Sequence, residues 1–160
     1  MSYVERKKAN EGLKTAFEAF KETHQEMKAE IAPVVKALLK KYGLKGTLSV
    51  SNHSTLTLTV SSGKIDFVEN YISTDEDSNH GRKMSEDQKA YVRKNQNIDV
   101  NTYWCHEHFS GAAKDFLVAA VQALKGPKYF DHSDIQTDYF HCSHYVGIKI
   151  GRWNKPYTVI

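Results

Sequence analysis

The chain has 160 residues, 40% of them hydrophobic, with 22 Lys and Arg against 19 Asp and Glu for a formal charge of +3. That length holds one domain with a sizeable core rather than two, and so small a positive balance excludes a protein that coats nucleic acid by charge alone. The longest apolar run, Phe116 to Val121, is too short to cross a bilayer, and the opening MSYVERKKANE lacks a secretory apolar segment; a cytoplasmic protein with no membrane partner is expected. Cys105 and Cys142 are then expected as free thiols rather than a disulfide.

Leu13, Phe17, Phe20, His24, Met27 and Ile31 step by four and three, a heptad-like seam that Val34 and Leu38 continue past Pro33. Proline has no amide hydrogen and disfavours helix at the residue before it, so the pattern predicts a long helix followed by a second one starting at Pro33. Residues 1–32 form an N-terminal helical extension in this reading, and 33–160 a single α+β domain. A narrow seam suits one partner helix better than a sheet and predicts a homo-oligomer, a two-fold dimer. Gly43 is placed as the left-handed C-cap glycine, with Leu44 as the apolar contact behind it.

In GTLSVSNHSTLTLTVSSG, Leu48, Val50, Leu56, Leu58 and Val60 alternate with Ser and Thr around a polar SNHS, which reads as a β-hairpin. Its Leu and Val face packs on a helix, and Thr57, Thr59 and Ser61 point to solvent or a ligand. IDFVENYI has helical spacing, whereas Ser73 to Ser85 is almost free of apolar residues and predicts an exposed loop. SEDQ from Ser85 is a capping box closed by Gln88, VNTYW from Val100 is strand-like, and Ser110 can cap a helix whose stripe is Ala113, Phe116, Leu117, Ala120, Val121 and Leu124. Gly126 and Pro127 end it. In DYFHCSHYVGIKIG, Phe140, Cys142, His144, Val146, Ile148 and Ile150 share one parity of a strand, and Tyr139, His141, Ser143, Tyr145 and Lys149 share the other. The sum is an α+β fold, a small, mainly antiparallel sheet with helices on one face.

Three chemistries compete for the polar residues. Cys105, His106 and His108 with Cys142 and His144 supply enough nitrogen and sulfur for a zinc site, but His141 and His144 point to opposite faces of a strand, and His144 in an apolar stripe reads as a satisfied core imidazole. Asp131, Asp134 and Asp138 could hold a divalent cation and equally suit turn capping. The third set is basic and aromatic: Lys149, Arg152, Trp153, Lys155 and Tyr157, with Tyr139, His141 and Tyr145 on the outward parity, a surface that can hold an anion and stack a base. Lys36, Lys40 and Lys41 add positive charge on a helix. No G-x-S-x-G, P-loop, dinucleotide fingerprint or H-E-x-x-H is present.

The runs KKYGLKGTLSVSNHSTLTLTVSSGKIDFVENY and YFDHSDIQTDYFHCSHYVGIKIGRWNKPY, with VNTYW and FSGAAKDFL between them, resemble an uncharacterised family of bacteriophages and other mobile elements. It is similar to the large polyvalent protein-associated domains, type twenty-nine, from about Ile31 onward, through Asp134, Asp138, Tyr139, Gly151, Trp153, Asn154, Lys155 and Pro156. The resemblance implies a mobile-element setting and a small sheet, and transfers no catalytic residue. Together these readings point to a non-enzymatic accessory protein without cofactor. It would bind a nucleotide-like anion, including a cyclic nucleotide immune signal, or a host defence protein, to antagonise host immunity. The competing readings are a metal-dependent hydrolase or nuclease using the His, Cys and Asp groups, and a structural or DNA-associated domain that does not read DNA sequence.

Overall fold

Ser2 opens the first helix, α1 (Tyr3–Lys41), with a capping box: its hydroxyl accepts from the Glu5 amide and the Glu5 carboxylate accepts from its own amide. The computed structural model describes residues 2–51, 54–79, 81–131 and 143–160, with no side-chain description for residues 7–24. The helix does not break at Pro33, contrary to the expectation of two helices. Ile31, Val35 and Leu39 are buried in one stripe on both sides of the proline, and Met27 packs on the same core. Ala29, whose carbonyl loses its amide partner to the ring, is exposed to water. Packing on both flanks therefore offsets the roughly 3 kcal/mol that an interior proline costs. Gly43 follows the helix at φ +67 and donates to the Lys40 carbonyl, as the C-cap reading requires.

The remaining elements are β1 (Leu44–Ser51), β2 (Thr55–Gly63), α2 (Phe67–Asp77), α3 (Glu86–Asn95), β3 (Ile98–Val100), α4 (Cys105–His108), α5 (Gly111–Lys125), β4 (Tyr145–Ile150) and β5 (Thr158–Val159). The fold is α+β, with helices packed against a mixed five-stranded sheet in the order β1-β2-β4-β3. β1 with β2 and β3 with β4 are antiparallel and carry the larger share of the ladder. β4 and then β5 run parallel to β2 along the same side. Leu56, Leu58, Val60, Ile148 and Ile150 are essentially inaccessible on one face of the sheet, where the predicted stripe of α5 is buried in full. Phe67 at the start of α2 lies among the rings of Phe109, Phe116 and Tyr157, with centroids 5.5 to 6.3 Å away.

Three local expectations are corrected. The Ser73–Ser85 loop is shorter than its composition predicts, because α2 continues to Asp77 and the Asp75 carboxylate then accepts from the Met84 amide at 2.9 Å. VNTYW is not a strand. The strand ends at Val100, and the Asn101 side chain accepts from the amides of Tyr103 and Trp104, an Asx turn that offers the backbone an alternative to the ladder. Ser110 stands at the N-cap of α5 without bonding a helix amide; its hydroxyl meets Thr74 Oγ1 at 3.1 Å instead. The capping box of Ser85 and Gln88 forms as predicted. α3 buries no side chain fully and is held to α2 by the pairs Glu69–Arg93 and Glu76–Lys89.

Candidate binding groove

The period of a strand is two, so the residues that alternate with the core positions must share the opposite face of the sheet. Register sets them in rows. Thr47, Thr59, Lys149 and Asp99 form one row across β1, β2, β4 and β3; Ser49, Thr57 and Gly147 form the next; Ser51, Thr55 and Tyr145 form the third. These rows floor a groove of about 890 Å³ that Ser49, Thr57, Thr59, Asp99 and Lys149 line from the sheet and Arg152, Trp153 and Asn154 line from the loop after β4. That volume is in the range of sites that hold a small organic ligand.

Gly151 brings the loop there. Its φ is +68, and a Cβ on it would lie 2.4 Å from the Gln96 carbonyl oxygen and 2.6 Å from the Tyr157 amide nitrogen, so only glycine fits this position. The chain leaves the lane of β4 at Gly151, makes a tight turn in which Arg152 and Lys155 exchange both backbone hydrogen bonds at 2.9 and 3.1 Å, and rejoins the same side of β2 as β5. Trp153 and Asn154 sit at the tip of the turn, and Trp153 is 86% exposed.

The cations and threonine hydroxyls of the groove are uncommitted among the described residues. Among the described residues the ion pairs are Lys89 with Glu76 and Glu86, Arg93 with Glu69, His106 with Glu107 and Lys128 with Glu30. Lys149 and Arg152 are in none of them. Thr57 and Thr59 are 8% and 5% exposed, and neither hydroxyl has a hydrogen-bond partner among the described residues. No fully buried side-chain oxygen among those residues is unpaired, so the open capacity of these hydroxyls belongs to the groove. The arrangement therefore offers two cations, one carboxylate, Asp99, in the row of Lys149, hydroxyls that donate or accept, and an exposed aromatic face.

Of the residues expected to bind a ligand, Lys149, Arg152 and Trp153 are brought together, with Lys155 exposed at the foot of their turn and Tyr145 half exposed in the third row. Tyr157 is not at the surface. It is 3% exposed, its hydroxyl donates to the Ile65 carbonyl at 2.7 Å, and burial pushes its pKa up to about 12. Tyr139 and His141 lie outside the described residues. Asp99, Asn97 and the β1 serines were missed, because β3 has only three residues and its register with β4 is a long-range pairing.

The metal-ligand set is not assembled. His106 and His108, two of the possible zinc donors, lie in a helical turn, where residues two apart diverge. His106 stacks on Trp104 at 6.2 Å, and His108 lies edge-on to Tyr71 at 6.1 Å. Cys105 is buried just before the N-terminal end of α5, and burial pushes its thiol pKa up, away from the thiolate that a nucleophile or ligand needs. His144 is at the other end of α5, about 20 Å along the helix, where its Nε2 donates to the Leu124 carbonyl at 2.9 Å. Its Nδ1 then accepts from the Ser143 hydroxyl at 3.0 Å, so both ring nitrogens are used, as the core-histidine reading predicts. Among the described residues no three His, Cys, Asp or Glu side chains converge; Cys142, Asp134 and Asp138 fall outside them. No family model, curated protein or solved structure matches the chain.

Proposed function

We propose that this protein binds a nucleotide-like anionic ligand in the groove on the hydroxyl-bearing face of its sheet. Lys149 and Arg152 would hold the phosphate, the guanidinium in bidentate fashion; the Ser and Thr floor would meet sugar hydroxyls; Trp153 would stack the base. The observation that supports the reading most is that two cations and two threonine hydroxyls, without partners among the described residues, share one groove with an exposed indole. In the mobile-element setting implied by the resemblance, sequestering a cyclic nucleotide signal would blunt host immunity without turning the ligand over.

Native mass spectrometry of protein taken directly from cells, followed by calorimetric titration with adenine and guanine nucleotides and a cyclic dinucleotide, tests this. A bound nucleotide recovered chemically intact, with binding lost in Arg152→Ala/Trp153→Ala, is the expected result. Absence of any nucleotide binding, or hydrolysis of the bound one, would refute a sequestering protein.

A two-fold dimer through the seam of α1 is part of the same proposal. Met27 and Ile31 at its C-terminal end pack on the protein's own core, which leaves Leu13, Phe17, Phe20 and His24, whose side chains lie outside the described residues, to make the contact. Sedimentation as a monomer at micromolar concentration would dispose of the dimer.

A further inference from the structure

A second concavity, on the far side of β1 and independent of the groove above, holds about 900 Å³ between α1 and the ends of the hairpin. Lys36 and Lys40 of α1, Lys45 of β1 and Lys64 after β2 surround it, and Leu39 and Leu44 lie in its floor. We propose that it is a docking site for an acidic peptide segment of a partner protein, one that carries an apolar anchor side chain between its carboxylates.

Charge complementarity selects this occupant. None of the four lysines is ion-paired among the described residues, and no acidic side chain lines the concavity. Lys36 and Lys40 are one helical turn apart, a like-charge arrangement that a helix left to itself disfavours and that a carboxylate lying between them would relieve. Lys64 lays its stem against Gly43, where a Cβ would come within 2.9 Å of its Cδ; this leaves the methylene stems as walls and the ammonium as rim.

Shape and composition argue against the other polyanions. A bilayer is penetrated by several apolar groups that protrude; here the leucines are recessed, 7% and 5% exposed, and Ile160, the one exposed large apolar side chain of the lining, is too little surface to insert by itself. Single-stranded nucleic acid is held by aromatic stacking and guanidinium forks, and neither an aromatic ring nor an arginine lines this site. A recessed apolar floor within a lysine rim instead fits a side chain projecting from an acidic segment.

Fluorescence anisotropy with a labelled glutamate-rich peptide carrying leucines at helical spacing tests the site in the intact protein. The comparison probes are the same peptide with serine for leucine, single-stranded oligothymidine, and vesicles of anionic phospholipid. The leucine peptide should bind, Lys36→Glu/Lys40→Glu should weaken it by at least about tenfold, and Lys45→Glu should weaken it independently. Arg152→Ala/Trp153→Ala should leave it unchanged, which separates this site from the nucleotide groove. No binding of the leucine peptide, equal binding of the serine peptide, or preference for oligothymidine or vesicles would overturn the proposal.

Discussion

Thr57 and Gly147 stand opposite one another on the parallel strands β2 and β4, and a Cβ at Gly147 would lie 3.4 Å from the Thr57 hydroxyl oxygen. The missing side chain makes the middle of the groove floor deep enough to expose a hydroxyl that is otherwise almost covered. Glycine weakens a strand interior through its backbone freedom and unfilled packing, so a site that needs depth has reason to keep it.

Gly147→Val should therefore separate binding from stability. Valine suits a strand and meets Thr57 at a tight but yielding contact, so stability should change by no more than about 1 kcal/mol in either direction. Nucleotide titration should show binding lost, because the side chain occupies the floor. Unaltered affinity in a folded variant would place the ligand elsewhere.

Trp153 and Arg152 are exposed, and neither side chain makes a hydrogen bond or ion pair among the described residues. Alanine at either should move the unfolding free energy by less than about 0.5 kcal/mol. Loss of the indole should cost about 1–3 kcal/mol of nucleotide binding, the magnitude of one stacked base. Thermal unfolding alongside calorimetry checks both halves; a large fall in Tm would show that the turn supports the fold rather than a ligand.

Tyr157 predicts a defined alkaline weakness. Its phenol has an ordinary pKa of 10 and is raised to about 12 in the fold, first by burial and then by the nearby Asp66 charge. The folded state therefore holds a proton that the unfolded chain gives up between pH 10 and 12. The phenol's contribution is complete below pH 10 and is lost as pH rises to 12, on the order of 2 kcal/mol. Tyr157→Phe should be less stable at pH 7 by about 1 kcal/mol, the hydrogen bond to Ile65, with a flatter decline above pH 10. Urea unfolding of both proteins at pH 8, 10 and 11 measures the difference, and parallel curves would remove Tyr157 as its cause.

Asn70 fastens α2 to the start of α5. Its amide donates to the Ser110 carbonyl at 3.0 Å and its carbonyl accepts from the Ser110 amide at 2.9 Å, the two bonds that one backbone unit offers. Asn70→Ala should destabilise the protein by about 1–3 kcal/mol while nucleotide affinity stays within about twofold, since the joint is not part of the groove. Asn70→Asp should restore only the accepted bond. A variant as stable as the parent would mean that water replaces both bonds at no cost.

Hydrophobic period located the hairpin, the buried stripe of α5 and the Tyr145–Ile150 part of a strand expected from Tyr139, which leaves out Ser143 and His144, and cap chemistry located the box at Ser85, because each is decided by residues a few positions apart. The same local reading put Thr57, Thr59 and Lys149 on one kind of face and the leucines and isoleucines on the other. It failed where distant contacts outweigh local preference. Pro33 sits inside a helix because Ile31 and Val35 are both buried against the core. Tyr157 belongs to the core because the Gly151 turn returns the chain beneath Phe67 and Ile65. Only tertiary structure decided that β4 lies parallel beside β2 rather than at an edge, and that choice places Lys149 next to Thr59 and Gly147 next to Thr57. Side-chain alternation is a property of each strand, whereas a binding surface is a property of the register between strands, and register is set by the burial of the whole apolar face at once.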